Sequence, residues 1–204
     1  ATDAAAAAAR FAQAESLLSG FEAAWPDSLW VPSVRYVLGR VAYASERFVE
    51  AATLLATVPA RWPEAVKADD ATYYAGRAWY RYAWRQHPER YADAIAAFES
   101  LVSIWPQSIY ADNADYFRAR ALVEVAAWSD AESALAAFQA AHPTSPYLDQ
   151  ALGWLARVRL TLGDCPGALA AVDALAALGD AAAAERASAQ AALAIAGCAA
   201  AGAL

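Results

Sequence analysis

The feature that most constrains this chain is a tryptophan–proline joint that returns at fixed spacing. Trp25-Pro26, Trp62-Pro63 and Trp105-Pro106 carry it, and His142-Pro143 repeats it with the aromatic changed. These prolines stand 37, 43 and 37 residues apart. Twelve residues before each is an alanine: Ala14, Ala51, Ala94 and Ala131. Four residues after each alanine comes a large apolar side chain: Leu18, Leu55, Phe98 and Leu135. Ala168 and Val172 continue the frame into a fifth unit, where Leu178-Gly179 stands in place of the proline joint. Self-similarity at about 40 residues marks an array of supersecondary units rather than one irregular globule.

A second landmark keeps the same frame. Tyr36-Val37-Leu38-Gly39-Arg40 aligns with Tyr73-Tyr74-Ala75-Gly76-Arg77, then with Tyr116-Phe117-Arg118-Ala119-Arg120 and Gly153-Trp154-Leu155-Ala156-Arg157. A glycine or alanine precedes an arginine each time, and the arginines are again 37, 43 and 37 apart. The six extra residues fall between Arg77 and Ala94, where a longer helix or an added turn must sit. Each unit therefore reads as helix A, turn, helix B and proline joint. The small residue of helix A and the alanine of helix B let the two approach closely. Proline lacks the amide that would continue a helix, so the next unit starts afresh. One such hairpin cannot cover its own apolar stripe, so neighbours must stack.

The chain is 60% hydrophobic, but much of that is alanine, the best helix former and a poor source of buried area. No alternating β-branched pattern competes with the helical period. The expected fold is all-α: a right-handed α-α superhelix of about four to five hairpins, forming one solenoid domain over residues 1–204. Helices are predicted at 4–24, 32–45, 48–58, 66–86, 91–104, 111–127, 129–141, 147–162, 166–178 and 181–199. The first is a helix B with no helix A before it, and the last is the cap that closes the stack. With neither an initiator Met nor a leader pattern, the sequence reads as a mature form or an excised piece.

The pattern resembles the tetratricopeptide repeat (TPR) family over roughly residues 11–178. Leu38-Gly39, Ala51, Leu55 and Pro63 carry it in one unit, and Ala94, Phe98 and Pro106 in the next. Gly163-Asp164 followed by Ala168 looks like that family's inter-helix turn. The family's early Trp is absent from every unit, and these repeats exceed its usual length. Pro106-Gln107-Ser108 with Asp112-Asn113-Ala114, and Pro143-Thr144-Ser145 with Asp149-Gln150-Ala151, look like the longer repeats of bacterial envelope TPR proteins, of the Tol–Pal-associated periplasmic and outer-membrane assembly lipoprotein types. The resemblance implies a periplasmic or envelope-associated adaptor; a cytoplasmic location is the alternative. It also implies that the A helices line a concave groove.

Charge and motifs narrow the chemistry. The net charge of -7 lacks the positive field that nucleic-acid binding needs. No unbroken run of 18 apolar residues offers a membrane span. His87 and His142 both sit beside prolines with no nucleophile or carboxylate at a telling spacing, and no phosphate loop or metal motif occurs. No enzyme activity, cofactor or metal is expected. Cys165 and Cys198 fall at the two ends of the final hairpin, which turns near Gly179-Asp180. The spacing leaves a disulfide and two unbonded thiols equally open, and a disulfide would favour an oxidising compartment.

The candidate site is the arginine series Arg40, Arg77, Arg120 and Arg157. Four residues earlier stand Tyr36, Tyr73, Tyr116 and Gly153; three residues later stand Tyr43, Tyr80, Val123 and Leu160. Such spacings share one helical face. Tyr and Arg dominate binding hot spots, and arginine grips carboxylates with paired hydrogen bonds. The expected partner is a protein or peptide, with an acidic segment or C-terminal carboxylate seated on the ladder. The competing reading is that Asp112, Asp115, Glu124 and Asp149 neutralise the arginines within the chain. Two other roles stay open: a helical arm of a larger envelope enzyme such as a lytic transglycosylase, and a homo-oligomerising scaffold using Trp79 and Trp84.

Overall fold

The computed structural model describes residues 2–179 and 181–200, so Ala1, Asp180 and residues 201–204 of the expected single domain lie outside it. Every regular element among the described residues is helical. In order these are α1 (Thr2–Leu18), α2 (Phe21–Ala24), α3 (Val31–Ala44), α4 (Phe48–Arg61), α5 (Ala68–Trp84), a 3₁₀ turn at Pro88–Arg90, α6 (Tyr91–Ile104), α7 (Ala111–Glu124), α8 (Trp128–Ala141), α9 (Leu148–Thr161), α10 (Cys165–Ala176) and α11 (Ala181–Ala200). The chain divides into two compact units, Ala1–Ala114 and Asp115–Leu204.

In the first unit α3 packs on α4, α4 on α5 and α5 on α6, while α1 and α2 lie against α3. The landmark residues carry the packing. Ala51, Leu55, Ala94 and Phe98 are fully buried. A Cβ on Gly39 would fall 2.5 Å from Leu55 Cγ, and one on Gly76 would fall 2.7 Å from Phe98 Cε1. The glycine before each arginine is thus the hole that the large residue of helix B fills. In the second unit α8 and α10 pack on α9, and α11 covers α9 and α10. Ala131, Leu135 and Ala168 are again fully buried, and Ala119 and Ala156 hold the small position.

The joints share one construction. Trp62, Trp105 and His142 each close the last turn of helix B, their amides donating to Val58, Leu101 and Phe138 carbonyls at 2.8–2.9 Å. Their own carbonyls then accept from Ala65, Ser108 and Ser145. The serine hydroxyl turns the chain into the next helix: Ser28, Ser108 and Ser145 Oγ accept from the Trp30, Tyr110 and Tyr147 amides. At the other end, helix A stops on a left-handed residue, Glu46, Ala126 or Gly163, with φ of 60°, 57° and 80°. The following amides, of Arg47, Ala127 and Asp164, reach back to Ala42, Leu122 and Arg159 carbonyls, the Schellman arrangement.

The six-residue insertion splits in two. α5 has 17 residues where α3, α7 and α9 have 14, and the 3₁₀ turn Pro88–Arg90 supplies the other three. Two expectations need correction. The helix predicted at 4–24 is two helices, α1 and α2, parted at Ser19-Gly20, residues that favour turns over helix interiors. Trp25 does not pack in its joint as its place in the repeat implies: it is 60% exposed and lies by the Phe21 ring, whereas Trp62 and Trp105 are half-buried.

Candidate functional site

The first unit holds a rung built on Tyr36. This ring has two cations near it, with Arg40 Cζ at 5.7 Å and Lys67 Nζ at 5.6 Å from its centroid. Arg40 Nη1 donates to the Tyr36 hydroxyl at 2.8 Å, and its guanidinium lies flat over Tyr74 at 3.5 Å. Such a cation–π contact is worth about 0.5–2 kcal/mol and holds the side chain in one rotamer. Among the described residues no carboxylate pairs with Arg40, and its buried Nε has no acceptor.

Lys67 marks where the repeat is broken. In later units its position holds Tyr110 and Tyr147, which stack on Tyr73 and Tyr116 at 4.4 Å and 4.6 Å with planes 10° apart. Lys67 instead pairs with Asp70 at 2.7 Å, and that hydrogen bond pushes the Lys67 ammonium above the usual lysine range. Asp70 is buried, at 7% exposure. Burial first, and then the hydrogen bond to Asp70, push the Tyr110 phenol far above the usual tyrosine range, so it stays protonated. Tyr36 is pushed up by burial, with Arg40 acting against it. The rung therefore carries two cations and one internal countercharge. Arg77 donates to the Tyr73 hydroxyl at 2.8 Å in the same manner.

In the second unit Arg120 lies over Trp154 at 3.7 Å, the counterpart of Arg40 over Tyr74, but its Nη2 is bound by Glu124 of its own helix at 2.5 Å. Tyr116 donates to Gln150 Oε1 at 3.0 Å. Arg157 is exposed beside Trp154, at 4.5 Å, with no ion pair among the described residues. Of the other carboxylates set against the ladder, Asp115 pairs with His142 at 3.0 Å and Asp149 pairs with Arg186.

The tyrosines do not all sit where a contact surface needs them. Tyr73 and Tyr116 are 3% exposed, so their rings belong to the core and act as posts beneath the arginines. Tyr80 turns edge-on to Tyr91 within the α5–α6 hairpin. Tyr43 is half-buried, edge-on to Phe48 and Tyr74. The expected exposed pair near the end of α5 reduces to Trp84, at 63% exposure, because Trp79 packs against Tyr82 and Arg90. Residues missed in the sequence were Tyr74 and Trp154, the platforms for the arginines. Their signal was legible: an aromatic stands three residues before Arg77, Arg120 and Arg157.

Cys165 and Cys198 are joined in a disulfide that ties α10 to the cap α11. Among the described residues no three His, Cys, Asp or Glu side chains gather as metal ligands would. No helix of the described residues is long and apolar enough to cross a membrane.

Comparison with known proteins agrees with this architecture. A thermophilic TPR protein of Thermus thermophilus superposes with a TM-score of 0.52 at 21% identity, over 88% of this chain and 91% of that one. Two crystal structures of nearly identical TPR-like repeats from Podosopora anserina give a TM-score of 0.52 at 18% identity, over 70% of this chain and 72% of theirs. At these identities the likeness establishes the TPR-like fold alone. No curated protein matches the chain. The family model that matches is YfiO, described as outer membrane lipoprotein, over residues 1–121. With more than half of its residues matched, this chain belongs to the YfiO outer membrane lipoprotein family.

Proposed function

We propose that this protein is a non-catalytic interaction scaffold of the bacterial cell envelope, holding a peptide or protein segment on the face built by its A helices. The observation that carries the reading is Arg40. It is pre-positioned by the Tyr36 hydroxyl and the Tyr74 ring, and no carboxylate of the described chain neutralises it. A rigid guanidinium with unused donors suits a carboxylate of a partner, whether an acidic side chain or a chain terminus. Arg77 and Tyr43 extend the candidate surface of the first unit; in the second, Arg157 stands without an ion pair among the described residues while Glu124 occupies Arg120. The reading takes residues 1–204 as one solenoid domain, since the arginines and prolines keep a single frame on both sides of residue 114. Family membership and the Cys165–Cys198 disulfide both support an oxidising envelope compartment.

The test is a labelled peptide of alternating Glu and Phe, titrated as the free acid and as the amide against the wild type, Arg40→Gln and Arg40→Glu. Affinity should fall at least tenfold in Arg40→Glu, about 1.4 kcal/mol, and less in Arg40→Gln. Equal binding by all three proteins would sink the assignment. A difference between acid and amide would identify a terminal carboxylate as the ligand group.

A further inference from the structure

The joints carry a second recurring feature, on residues the arginine rungs do not use. Leu29, Val66 and Ile109 each stand three residues after a joint proline, and they are 94%, 88% and 82% exposed. A turn apex has no packing reason to be apolar in three successive repeats. Between the first two joints lies an open cleft of about 910 Å³, with Leu29, Trp30, Trp62 and Val66 in its wall. Trp30 is 70% exposed although it caps α3.

Asp27 and Glu64 line the same cleft. Among the described residues neither side chain makes a hydrogen bond or ion pair. Arg61, the cation in that wall, is already spent on Glu22 at 2.9 Å and lies on the Trp62 ring at 4.3 Å. We infer that this cleft is a docking site for an extended segment of a different protein in which apolar residues alternate with lysine or arginine. Leu29, Val66 and the two indoles take its apolar side chains; Asp27 and Glu64 take its cations, which the Trp30 indole face also attracts. Charge complementarity decides the occupant. A bilayer surface would have to strip water from two unpaired carboxylates. A second copy would set this acidic face against an equally acidic chain, of net charge -7. An acidic segment suits the arginine face and is repelled here.

The experiment uses the full chain and a labelled, end-blocked peptide of alternating leucine and lysine, followed by fluorescence anisotropy, with a leucine–glutamate peptide as its partner probe. The leucine–lysine peptide should bind saturably. Its affinity should fall at least tenfold in the Asp27→Lys plus Glu64→Lys double variant and in Trp30→Ala. Arg40→Glu should leave it unchanged, which keeps this outcome independent of the proposed function. The leucine–glutamate peptide should bind at least tenfold more weakly. Helicity by circular dichroism should match wild type in the Asp27→Lys plus Glu64→Lys and Trp30→Ala variants, since the altered side chains are exposed. Absence of saturable binding at millimolar peptide, or equal binding by the double variant, would overturn the inference. So would co-sedimentation with phosphatidylcholine vesicles, or self-association, that Trp30→Ala abolishes while the peptide fails to bind.

Discussion

The arginine rung at Arg40 and the one at Arg120 are built from the same repeat position, yet only one is open. Both guanidiniums lie on the aromatic ring found 34 residues later in the chain, Tyr74 in the first unit and Trp154 in the second. What closes one of them stands four residues on: Ala44 follows Arg40, and Glu124 follows Arg120. On a helix that spacing places a carboxylate directly beside the arginine. A repeat protein can thus keep one scaffold and set each rung's charge with one residue. The second unit also has a covalent tie, Cys165–Cys198, which the first lacks.

The largest way to break this comparison is to remove that tie. The disulfide closes a loop with a sequence separation of 33. Loop-closure entropy puts its contribution at about 3–4 kcal/mol. Reduction, or Cys165→Ser with Cys198→Ser, should lower the urea midpoint of the second unit, and hydrogen exchange should show α11 opening first. Equal exchange in α10 and α11 with and without reductant would remove the staple from the account.

Next is the hole filled by Leu55. Gly39→Ala would place a methyl 2.5 Å from a fully buried side chain. Overpacking of this kind costs about 1–3 kcal/mol, against about 0.5–1 kcal/mol gained by replacing a helical glycine. A net loss is expected in the first unit. The equivalent residues of the second, Ala119 and Ala156, already carry that methyl and are buried without difficulty. Calorimetry of Gly39→Ala beside Ala119→Gly checks both signs.

The sharpest test of the rungs exchanges their charge. Ala44→Glu should close the Arg40 rung as Glu124 closes Arg120, and weaken an acidic peptide about fivefold, or about 1 kcal/mol. Glu124→Ala should open the second rung and strengthen binding by a similar factor. Titration of the Glu–Phe peptide against both variants reads the exchange; two unchanged affinities would show that the carboxylate at this position is irrelevant to binding.

The smallest effect concerns acid. Glu22 lies below its ordinary value of 4.5 chiefly because Arg35 hydrogen-bonds to it, with Arg61 adding to this against the opposing effect of desolvation; Glu15 is lowered chiefly by Arg47. A carboxylate lowered on folding contributes stability above its unfolded value, and loses it as pH falls through its folded value. Below about pH 4.5, α1 and α2 should loosen from α3 and α4 while α8–α10 hold. Limited proteolysis along a pH series would show this, and simultaneous cleavage in both units would contradict it.

Much of the fold was legible because repetition supplies its own controls. Two landmarks, proline and arginine, kept one series of spacings, and the alanines they located at 51, 94, 131 and 168 are fully buried. What escaped was local. The break at Ser19-Gly20 needs only a weak turn preference inside an alanine-rich stretch. Tyr73 and Tyr80 share a helical face with Arg77 in the sequence pattern, yet one ring is core and the other turns to α6, because a face of about 100° is wide enough to meet both the core and a neighbouring helix.

The amino-acid sequence by itself determined the hairpin frame, the small-against-large packing of its helices and the position of the arginines, since these follow from helical period and side-chain volume. Only the tertiary structure decided that Arg40 and Arg120 lie on Tyr74 and Trp154, which tyrosine is buried, and that Trp30 and Trp62 share a cleft with Asp27 and Glu64. Those outcomes depend on contacts across adjacent repeats, between residues 30 or more positions apart, where direction and distance are set by stacking rather than by any local preference.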